Sequence, residues 1–314
     1  MRLGLYKNVK VELIRRDMTP GSPTYGQDLD TLEVYGEDAH EGVCWLKGFS
    51  GLMHAQRTQV KEAFAYQEGV TLSDFPRVDE RTANVRLATK AKNPEDLMTL
   101  ETRLWKILSF KRDAILKITS ATATRELKIR LNEKPEDAMD YFMGEVLHMV
   151  WDITLLSWDP WWYSATIMSS WTRGSATPDG SGWYSGTLEF QNPADQTCWI
   201  QFSNREITVP ETWSLPDALA VYPPGHAKAG QPVMHTLPEL GVGKSFLVQT
   251  NPLEPTLTVM DNSQEQAKMR MEDFLSWLPE DMTTPVIVPV KLKGGTADSK
   301  VTAFMVQRHD RPWS

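Results

Sequence analysis

Short stretches in which apolar and polar residues alternate recur along almost the whole of this sequence, and they constrain the fold more than any other feature. Such alternation is typical of β-strands that bury one face. The first half contains it in VKVELIRR, TANVRLAT, AILKITSAT, RELKIRL and EVLHMVWDITLLSW. Turn-forming stretches such as TPGSPTYG separate these segments. We therefore predict a mainly β protein whose first domain, residues 1–165, is a mostly antiparallel sheet or barrel.

A single stretch in this half has the signature of an α-helix. Asn93 is a favourable N-cap, and Pro94 suits the first helical position. Apolar residues then recur at a spacing that places them on one helical face: Leu97, Leu100, Leu104, Ile107 and Leu108. Met98 and Trp105 lie together on the flank of that face. We expect one helix that packs on its own sheet and contacts a second surface through Trp105.

The second half is again rich in short strand-like segments. Seven of them lie between residues 185 and 314: GTLEFQN, CWIQF, REITVP, KSFLVQT, PTLTVM, PVIVPVKL and KVTAFMVQR. That spacing predicts a β-sandwich domain over 185–314. Residues 166–184 are rich in Ser, Gly, Thr and Pro, and we predict that they form the linker. One helical insertion is also expected, from the spacing of Ala267, Met271, Phe274, Leu275 and Leu278.

The charge balance and the cysteine count narrow the classes of protein. The 314 residues carry a net charge of −8, so the sequence does not predict the basic face of a nucleic-acid-binding protein. No apolar run reaches the length of a membrane span, and charged residues stand where a signal peptide would be apolar. We therefore expect a protein that folds in the cytosol without membrane insertion. In that compartment Cys44 and Cys198 are expected to be reduced, buried thiols.

No local motif predicts catalysis, a cofactor or a metal site. GVGKS at 241–245 resembles the end of a phosphate-binding loop, but Pro238 stands where the first glycine is needed and a strand-like segment follows. We interpret it as a turn into a strand. The six histidines have no paired metal-ligand spacing, and His148 is interpreted as a structural residue within a strand. The prediction is a protein that is not an enzyme.

The segment SWDPWWYS, residues 157–164, places three tryptophans and a tyrosine around one Asp-Pro step. Because proline cannot donate a hydrogen bond to a neighbouring strand, the preceding strand must end at Asp159-Pro160. The rings either form a platform for a ligand or pack in the corner where the second domain begins. Clustered aromatics usually serve cores and interfaces, so we favour packing. The predicted interdomain or interface residues are Trp158, Trp161, Trp162, Tyr163 and Trp105.

The order and spacing of several stretches resemble the distal tail proteins of long-tailed, non-contractile bacteriophages, in particular the minor tail proteins of phages that infect actinobacteria. In the first half the resemblance lies in GFSGLMHAQRTQVKEAFAYQEGVTLSDFPRVDERTANVRL, NPEDLMTLETRLWKIL and VWDITLLSWDPWWYS. In the second half it extends to LEFQNPADQTCWIQF, LPEDMTTPVIVPV and RHDRPW. It covers most of the chain, whereas residues 219–240 have no counterpart.

This resemblance implies a tail-tube-like split β-barrel followed by a galectin-like β-sandwich. It implies a structural virion protein at the distal tip of the tail, with neither catalysis nor a cofactor. Six copies would form a ring between the tail tube protein and the hub, tail-associated and fibre proteins. The lumen of that ring would admit the tape measure protein and then DNA in transit.

Two other functions fit the same features. One is a carbohydrate-binding tail protein that contacts the host cell surface, and the other is a hydrolase with a lectin-like appendage. A sugar site needs an exposed tryptophan. Trp213 is the best candidate, because Asn204, Glu211 and Asp217 are close to it in sequence. Trp213 is therefore predicted to contact a partner protein or, more weakly, a cell-surface glycan.

Overall fold

The computed structural model describes residues 9–19, 22–36, 42–59, 61–62, 68, 71–72, 76–137, 147–252, 254–261, 264–269 and 273–313. The chain divides into two compact units. The first unit comprises Met1–Ser164 and His309–Ser314, and the second comprises Ala165–Arg308. Each unit has a hydrophobic core of its own.

The predicted division into domains differs from this structure in two places. The last six residues, which we assigned to the second domain, group with the first unit. Within the predicted linker 166–184, one strand covers Trp162–Thr172 and the next begins at Trp183, so residues 173–182 lie between strands. Serine and threonine dominate 164–172, and threonine is well accepted in strands, so composition did not indicate the first of these strands.

The first unit is a set of antiparallel strands with one α-helix. In chain order these are β1 (Lys10–Arg16), β2 (Asp28–Tyr35), β3 (Val43–Ser50), β4 (Arg57–Thr58), β5 (Lys61–Glu62), β6 (Thr71–Leu72), β7 (Arg77–Val78), β8 (Arg81–Lys90), α1 (Pro94–Ile107), β9 (Ala114–Thr119), β10 (Thr124–Leu131), β11 (Glu136–Asp137) and β12 (His148–Ser157). Seven strands pair in the order β2–β1–β9–β10–β12–β8–β3. The two end strands, β2 and β3, also lie close together, so this sheet curves toward closure.

The strands predicted in the first half are confirmed. The longest pairing joins β12 to β8, from His148 opposite Lys90 to Ser157 opposite Arg81. Alternate residues of β8 point into the core, including Ala83, Val85 and Leu87. Since side chains alternate between the two faces of a strand, the alternation of apolar and polar residues in TANVRLAT corresponds to the alternation of buried and exposed positions in β8.

The predicted helix is confirmed as α1. Asn93 is its N-cap, with an extended backbone and a side-chain Oδ1 that accepts the N–H of Asp96 at 2.8 Å. Most of the predicted apolar face is buried, with Leu100 half-buried and the rest fully inside: Leu97, Leu104, Ile107 and Leu108. This face packs on the core of the first unit, while Met98 stays exposed on the flank.

The second unit is built from two antiparallel sheets around one core. Its strands are β13 (Trp162–Thr172), which begins in the first unit, β14 (Trp183–Phe190), β15 (Gln201–Asn204), β16 (Glu211–Val221), β17 (Pro232–Thr236), β18 (Phe246–Gln249), β19 (Leu257–Val259), β20 (Val286–Gly294) and β21 (Lys300–His309). One sheet has the order β14–β20–β16–β17, and the other has β19–β18–β15–β21–β13. Their inward side chains share one core, which is the arrangement of the predicted β-sandwich.

Three strands of this sandwich, β13, β16 and β17, were not predicted, and one predicted strand is absent. REITVP, residues 205–210, is not a strand, whereas β16 and β17 follow it. Pro216 lies inside β16, and further prolines flank the turn between the two strands, so the sequence pattern indicated a loop. The pairing of β16 with β17 shifts register between Pro216 and Val221, and this irregularity accommodates the proline.

The predicted helical insertion is wrong. Glu265–Met269 form a 3₁₀ helix, and the described chain from Asp273 to Pro285 contains no helix. Leu278 pairs with Cys198 in an isolated β-bridge. Met271 lies outside the described residues. Phe274 and Leu278 are buried, whereas Leu275 and Trp277 are exposed.

Each of the two free cysteines lies in a different environment. Cys198 is buried in the second unit, as predicted, and burial raises the pKa of its thiol. The prediction for Cys44 is wrong, because Cys44 is exposed on β3. A residue in a paired strand faces the core or solvent according to its register, and the sequence did not determine that register for β3.

Two weak sequence signals have structural explanations. GVGKS is a turn, as predicted: Gly243 has a φ of 79°, and β18 begins at Phe246. His148 is the first residue of β12, and its side chain is exposed.

The cap of α1 gives the first testable prediction. Asn93→Ala should lower the free energy of unfolding of the first unit by about 1 kcal/mol, because the N–H of Asp96 loses its acceptor. Chemical denaturation followed by circular dichroism measures this change. Asn93→Asp keeps an acceptor at the cap and is the matched control. Equal destabilisation by both substitutions would contradict the capping role.

Candidate functional site

The aromatic turn, residues 157–164, joins β12 to β13. Ser157 Oγ donates a hydrogen bond to the carbonyl oxygen of Asp159 at 2.6 Å, and Tyr163 donates its hydroxyl hydrogen to Asp159 Oδ2 at 2.7 Å. Strand β12 stops at Ser157, so the prediction that the Asp-Pro step ends this strand is confirmed. Asp159 thus fixes the shape of the turn on both sides.

The four rings of the aromatic turn lie in different surroundings. Trp162 is fully buried in the core of the first unit, and its indole N–H donates to the carbonyl oxygen of Leu52 at 3.1 Å. Trp161 is also buried, Tyr163 is half-buried, and Trp158 is 57% exposed. The core of the first unit therefore accounts for the burial of Trp162. The interdomain role predicted for these rings stays a prediction.

Trp158 is exposed but held in place. Its indole N–H donates to Asp113 Oδ2 at 3.2 Å, and the ammonium of Lys128 lies 5.5 Å from the centre of its ring. The same ammonium lies 5.8 Å from the ring of Tyr163. A lysine shared between two ring faces restrains both side chains through cation–π attraction.

Arg81, the first residue of β8, is buried directly beneath the aromatic turn. Its side chain is 1% exposed, and its guanidinium donates to four backbone carbonyl oxygens. Nε reaches Pro160 at 2.9 Å, and one terminal nitrogen reaches Gly51 at 3.2 Å and Leu52 at 2.9 Å. The other terminal nitrogen reaches the carbonyl oxygen of Asp310 at 2.8 Å. Burial lowers the pKa of Arg81 to about 10, so the group stays charged at neutral pH.

The carboxylate of Asp310 lies beside this guanidinium, with Oδ1 3.5 Å from it. It accepts the backbone N–H of Ala55 at 2.9 Å and contacts His54 Nδ1 at 2.8 Å. Burial opposes ionisation, but these hydrogen bonds and the charges of Arg57 and Arg81 together hold its pKa below the usual value. Asp310 is therefore an anion at neutral pH that balances a buried cation.

The terminal segment 309–313 is attached to the first unit at further points. The buried His309 contacts Ser164 Oγ through Nε2 at 2.9 Å. Arg125 donates to the carbonyl oxygen of Arg311 at 2.6 Å, and Trp313 packs against the core. Residues 309–313 of the stretch RHDRPW are thus a structural element of the first unit.

Glycine is required at one position of this cluster. Gly51 has a φ of 79°, and a Cβ built there would lie 1.9 Å from the backbone oxygen of Thr82. Any side chain at position 51 would therefore displace the loop that offers its carbonyl oxygens to Arg81.

Trp105, the other predicted interface residue, lies on α1 beside a hollow of about 400 Å³. Its indole N–H donates to the buried carboxylate of Glu101 at 2.9 Å, which also accepts the indole N–H of Trp151 at 2.9 Å. The two indoles meet edge to face, with ring centres 4.9 Å apart. The hollow is lined by these two rings and by Leu108, Phe110, Lys111 and Lys134. Contact of Trp105 with a second protein surface remains a prediction.

The prediction that Trp213 contacts a glycan or a partner is wrong. Trp213 has no exposed surface, its indole N–H donates to Glu211 Oε2 at 2.8 Å, and its ring packs against Trp171 and Phe246. A fully buried indole offers no face to a ligand. The error follows from the missed strand β16, in which residues 213–218 are buried without interruption.

A different tryptophan pair reaches the surface of the second unit. Trp277 is 39% exposed, and Trp199 is half-buried beside it, with ring centres 5.5 Å apart and an interplanar angle of 73°. They flank the β-bridge between Cys198 and Leu278, which point into the core. The alternation of Cys198, Trp199 and Ile200 could have indicated an outward Trp199, but the pairing with Trp277 could not be read from either segment alone.

Two classes of feature are absent from the described residues. They contain no group of three or more His, Cys, Asp or Glu side chains that could hold a metal ion. No helix among them is both long enough and apolar enough to cross a membrane.

The aromatic turn yields a prediction on stability. Trp162→Ala should lower the free energy of unfolding by about 3–5 kcal/mol, because it empties a packed core position and removes one of the two donors to the Leu52 carbonyl oxygen, the other being Arg81. Trp158→Ala should change stability little, because Trp158 is more than half exposed. Thermal and urea unfolding of both variants measures the contrast. Similar melting of Trp162→Ala and the parent would contradict the packing role.

The buried arginine yields a second prediction. Arg81→Lys keeps the charge but cannot reach four carbonyl oxygens, and each buried carbonyl left without a donor costs about 1–3 kcal/mol. Arg86→Lys is the matched control, because Arg86 is exposed on the same strand and pairs with Asp152 at the surface. We expect a clear fall in unfolding midpoint for the first substitution and almost none for the second. Equal effects would show that the guanidinium geometry at position 81 is unimportant.

Comparison with known proteins gives matches at the level of structure. No protein-family model and no curated protein sequence matches the chain. The Dit protein of phage SPP1, described as a paradigm of hub adsorption apparatus in phages infecting Gram-positive bacteria, matches with a TM-score of 0.52 and 13% identity over 84% of this chain and 93% of Dit. A chain of the phage P2 baseplate in its activated conformation with Ca matches with a TM-score of 0.52 and 9% identity. A chain of the same baseplate in its activated conformation with Sr matches with a TM-score of 0.51 and 10% identity. Both baseplate matches cover 96% of this chain and 99% of the other. The chain therefore has the fold of these phage hub and baseplate proteins.

Proposed function

We propose that this protein is a structural component of a phage virion at the distal tip of the tail. The observation that carries the proposal is the fold match to SPP1 Dit, which spans 84% of this chain and 93% of Dit. A match of that extent includes residues of both units, so the likeness is to the whole two-unit protein and not to a common β-sandwich.

The sequence resemblance supports the same role by a separate route. It was based on the order of short stretches, among them the helix NPEDLMTLETRLWKIL and the aromatic turn. The structure gives both stretches a definite place in the first unit, as α1 and as the β12–β13 connection. Resemblance in sequence order and likeness in fold therefore point to the distal tail proteins together.

In the detailed form of the proposal, the first unit is a tail-tube-like split barrel and the second is galectin-like. Six first units form a ring, with the tail tube protein on one side and the hub, tail-associated and fibre proteins on the other. The tape measure protein and then DNA pass through the lumen. The curved sheet that runs from β2 to β3 supports the barrel, and closed rotational symmetry satisfies strand edges without open-ended growth.

The carbohydrate-binding alternative has lost its candidate residue. It rested on an exposed Trp213, and that side chain is buried in the sandwich core. A structural role without catalysis or a cofactor is the function that we propose.

The proposal predicts where the protein lies in the virion. Gold-labelled antibody against the purified protein should mark the tail tip in electron micrographs, and a reconstruction of that tip should show a six-fold ring whose density fits the two units. Labelling along the tail tube tests the specificity of the antibody, since the tube protein is a separate chain. Label on the capsid, or one copy at the end of a fibre, would reject the proposal.

A further inference from the structure

The exposed tryptophan pair of the second unit lies on a surface that the proposed function does not use. We name it the tryptophan face and define it by Trp199, Leu275, Trp277, Glu280 and Asp281. Leu275 is 64% exposed and Trp277 is 39% exposed, and both carboxylates are exposed. Large apolar side chains that are exposed together mark interaction sites more often than isolated ones do.

The main chain beneath the tryptophan face is firmly held. Cys198 and Leu278 exchange two backbone hydrogen bonds, at 3.0 and 2.9 Å. Further along, the N–H of Asp281 donates to the carbonyl oxygen of Ala194 at 2.9 Å. The two tryptophans therefore project from a paired ribbon and not from a free loop.

A buried carboxylate fixes the other end of the ribbon. Asp217 Oδ1 accepts the backbone N–H groups of Leu275 at 3.0 Å and Ser276 at 2.8 Å. Burial opposes the charge of Asp217, but His235 and these N–H groups hold its pKa below the usual value. The residue after it, Ala218, has a φ of 43°, a conformation that residues other than glycine rarely adopt. The segment that carries Trp277 is thus fixed in place before any partner arrives, which reduces the entropy lost on binding.

Both ionisable side chains of the tryptophan face are carboxylates, Glu280 and Asp281, and both are exposed. Arg308, on β21, lies near the buried Cys198. Anionic partners are therefore repelled from the tryptophan face, and cationic ones are attracted.

We propose that the tryptophan face binds an arginine-bearing basic segment of a partner protein. The face of an indole ring attracts a cation, and a guanidinium also stacks flat on it, which an ammonium cannot do. Glu280 and Asp281, three and four residues after Trp277, supply the opposite charge. This binding surface goes beyond the tail-tip role and does not depend on it, because it specifies the chemistry of a partner and not its identity.

The experiment uses the full-length protein and a fluorescently labelled peptide of alternating arginine and glycine. Fluorescence anisotropy should show saturable binding that weakens between about 0.05 and about 0.5 M salt, since screening reduces attraction between exposed charges. Trp277→Ala should weaken binding by about five-fold or more, and Trp277→Phe by less. The double variant Glu280→Gln/Asp281→Asn should bind more weakly and lose most of the salt dependence.

The matched control is Glu206→Gln. It removes one exposed carboxylate of the same unit beyond the far end of β15 from Trp199, and it should bind the peptide as the parent does. A thermal melt of each variant separates loss of binding from loss of fold. Because Trp277 contacts Trp199, the double carboxylate variant gives a second test that leaves the ring pair intact.

Several results would overturn the proposal. These are absence of saturable binding to the arginine peptide, binding that Trp277→Ala leaves unchanged, and an equal loss in Glu206→Gln. Binding of a neutral oligosaccharide such as chitohexaose in place of the peptide, lost in Trp277→Ala, would reassign the face to carbohydrate. Self-association of the protein that Trp277→Ala abolishes, without peptide binding, would assign the face to a second copy.

Discussion

The first unit depends on one buried cation. Arg81 satisfies four backbone carbonyl oxygens that belong to three separate stretches of chain: the loop at Gly51 and Leu52, the aromatic turn at Pro160, and the terminal segment at Asp310. The Leu52 oxygen also accepts the indole N–H of Trp162. A guanidinium offers five donors in a planar fork, so a single side chain can serve all three stretches at once. Asp310 balances the charge that this arrangement buries.

The second unit uses buried anions for the same purpose. Asp217 accepts two backbone N–H groups of the ribbon that carries Trp277, and Glu211 accepts the indole N–H of Trp213 together with the hydroxyl of Ser299. In both units the backbone N–H and C=O groups within the sheets hydrogen-bond to one another. In the irregular segments between strands, buried charged side chains hydrogen-bond to the backbone groups. Buried charges are costly to separate from their partners, so these contacts restrict each unit to one arrangement of its loops.

The tryptophans fall into two groups, one buried in the cores and one exposed to solvent. Trp162 and Trp213 are core residues with satisfied indole N–H groups, whereas Trp158 and Trp277 reach solvent from positions that other contacts restrain. An excess of tryptophan therefore does not mark one site in this protein. The exposed rings lie on short connections and paired ribbons, where the scaffold fixes them, and such positions suit contacts with other proteins of an assembly.

The sequence by itself determined the features that depend on neighbours along the chain. The alternation of apolar and polar residues identified β1, β8, β9, β10 and β12, because a strand that buries one face has an apolar residue at every second position. The N-cap residue Asn93 identified the start of α1. The sequence also placed the end of β12 at the Asp-Pro step. Only the tertiary structure decided that Trp213 is buried, that Trp199 lies beside Trp277, and that 309–313 belongs to the first unit. These outcomes depend on strand register and on contacts between residues far apart in sequence, and neither leaves a periodic signal in one short segment.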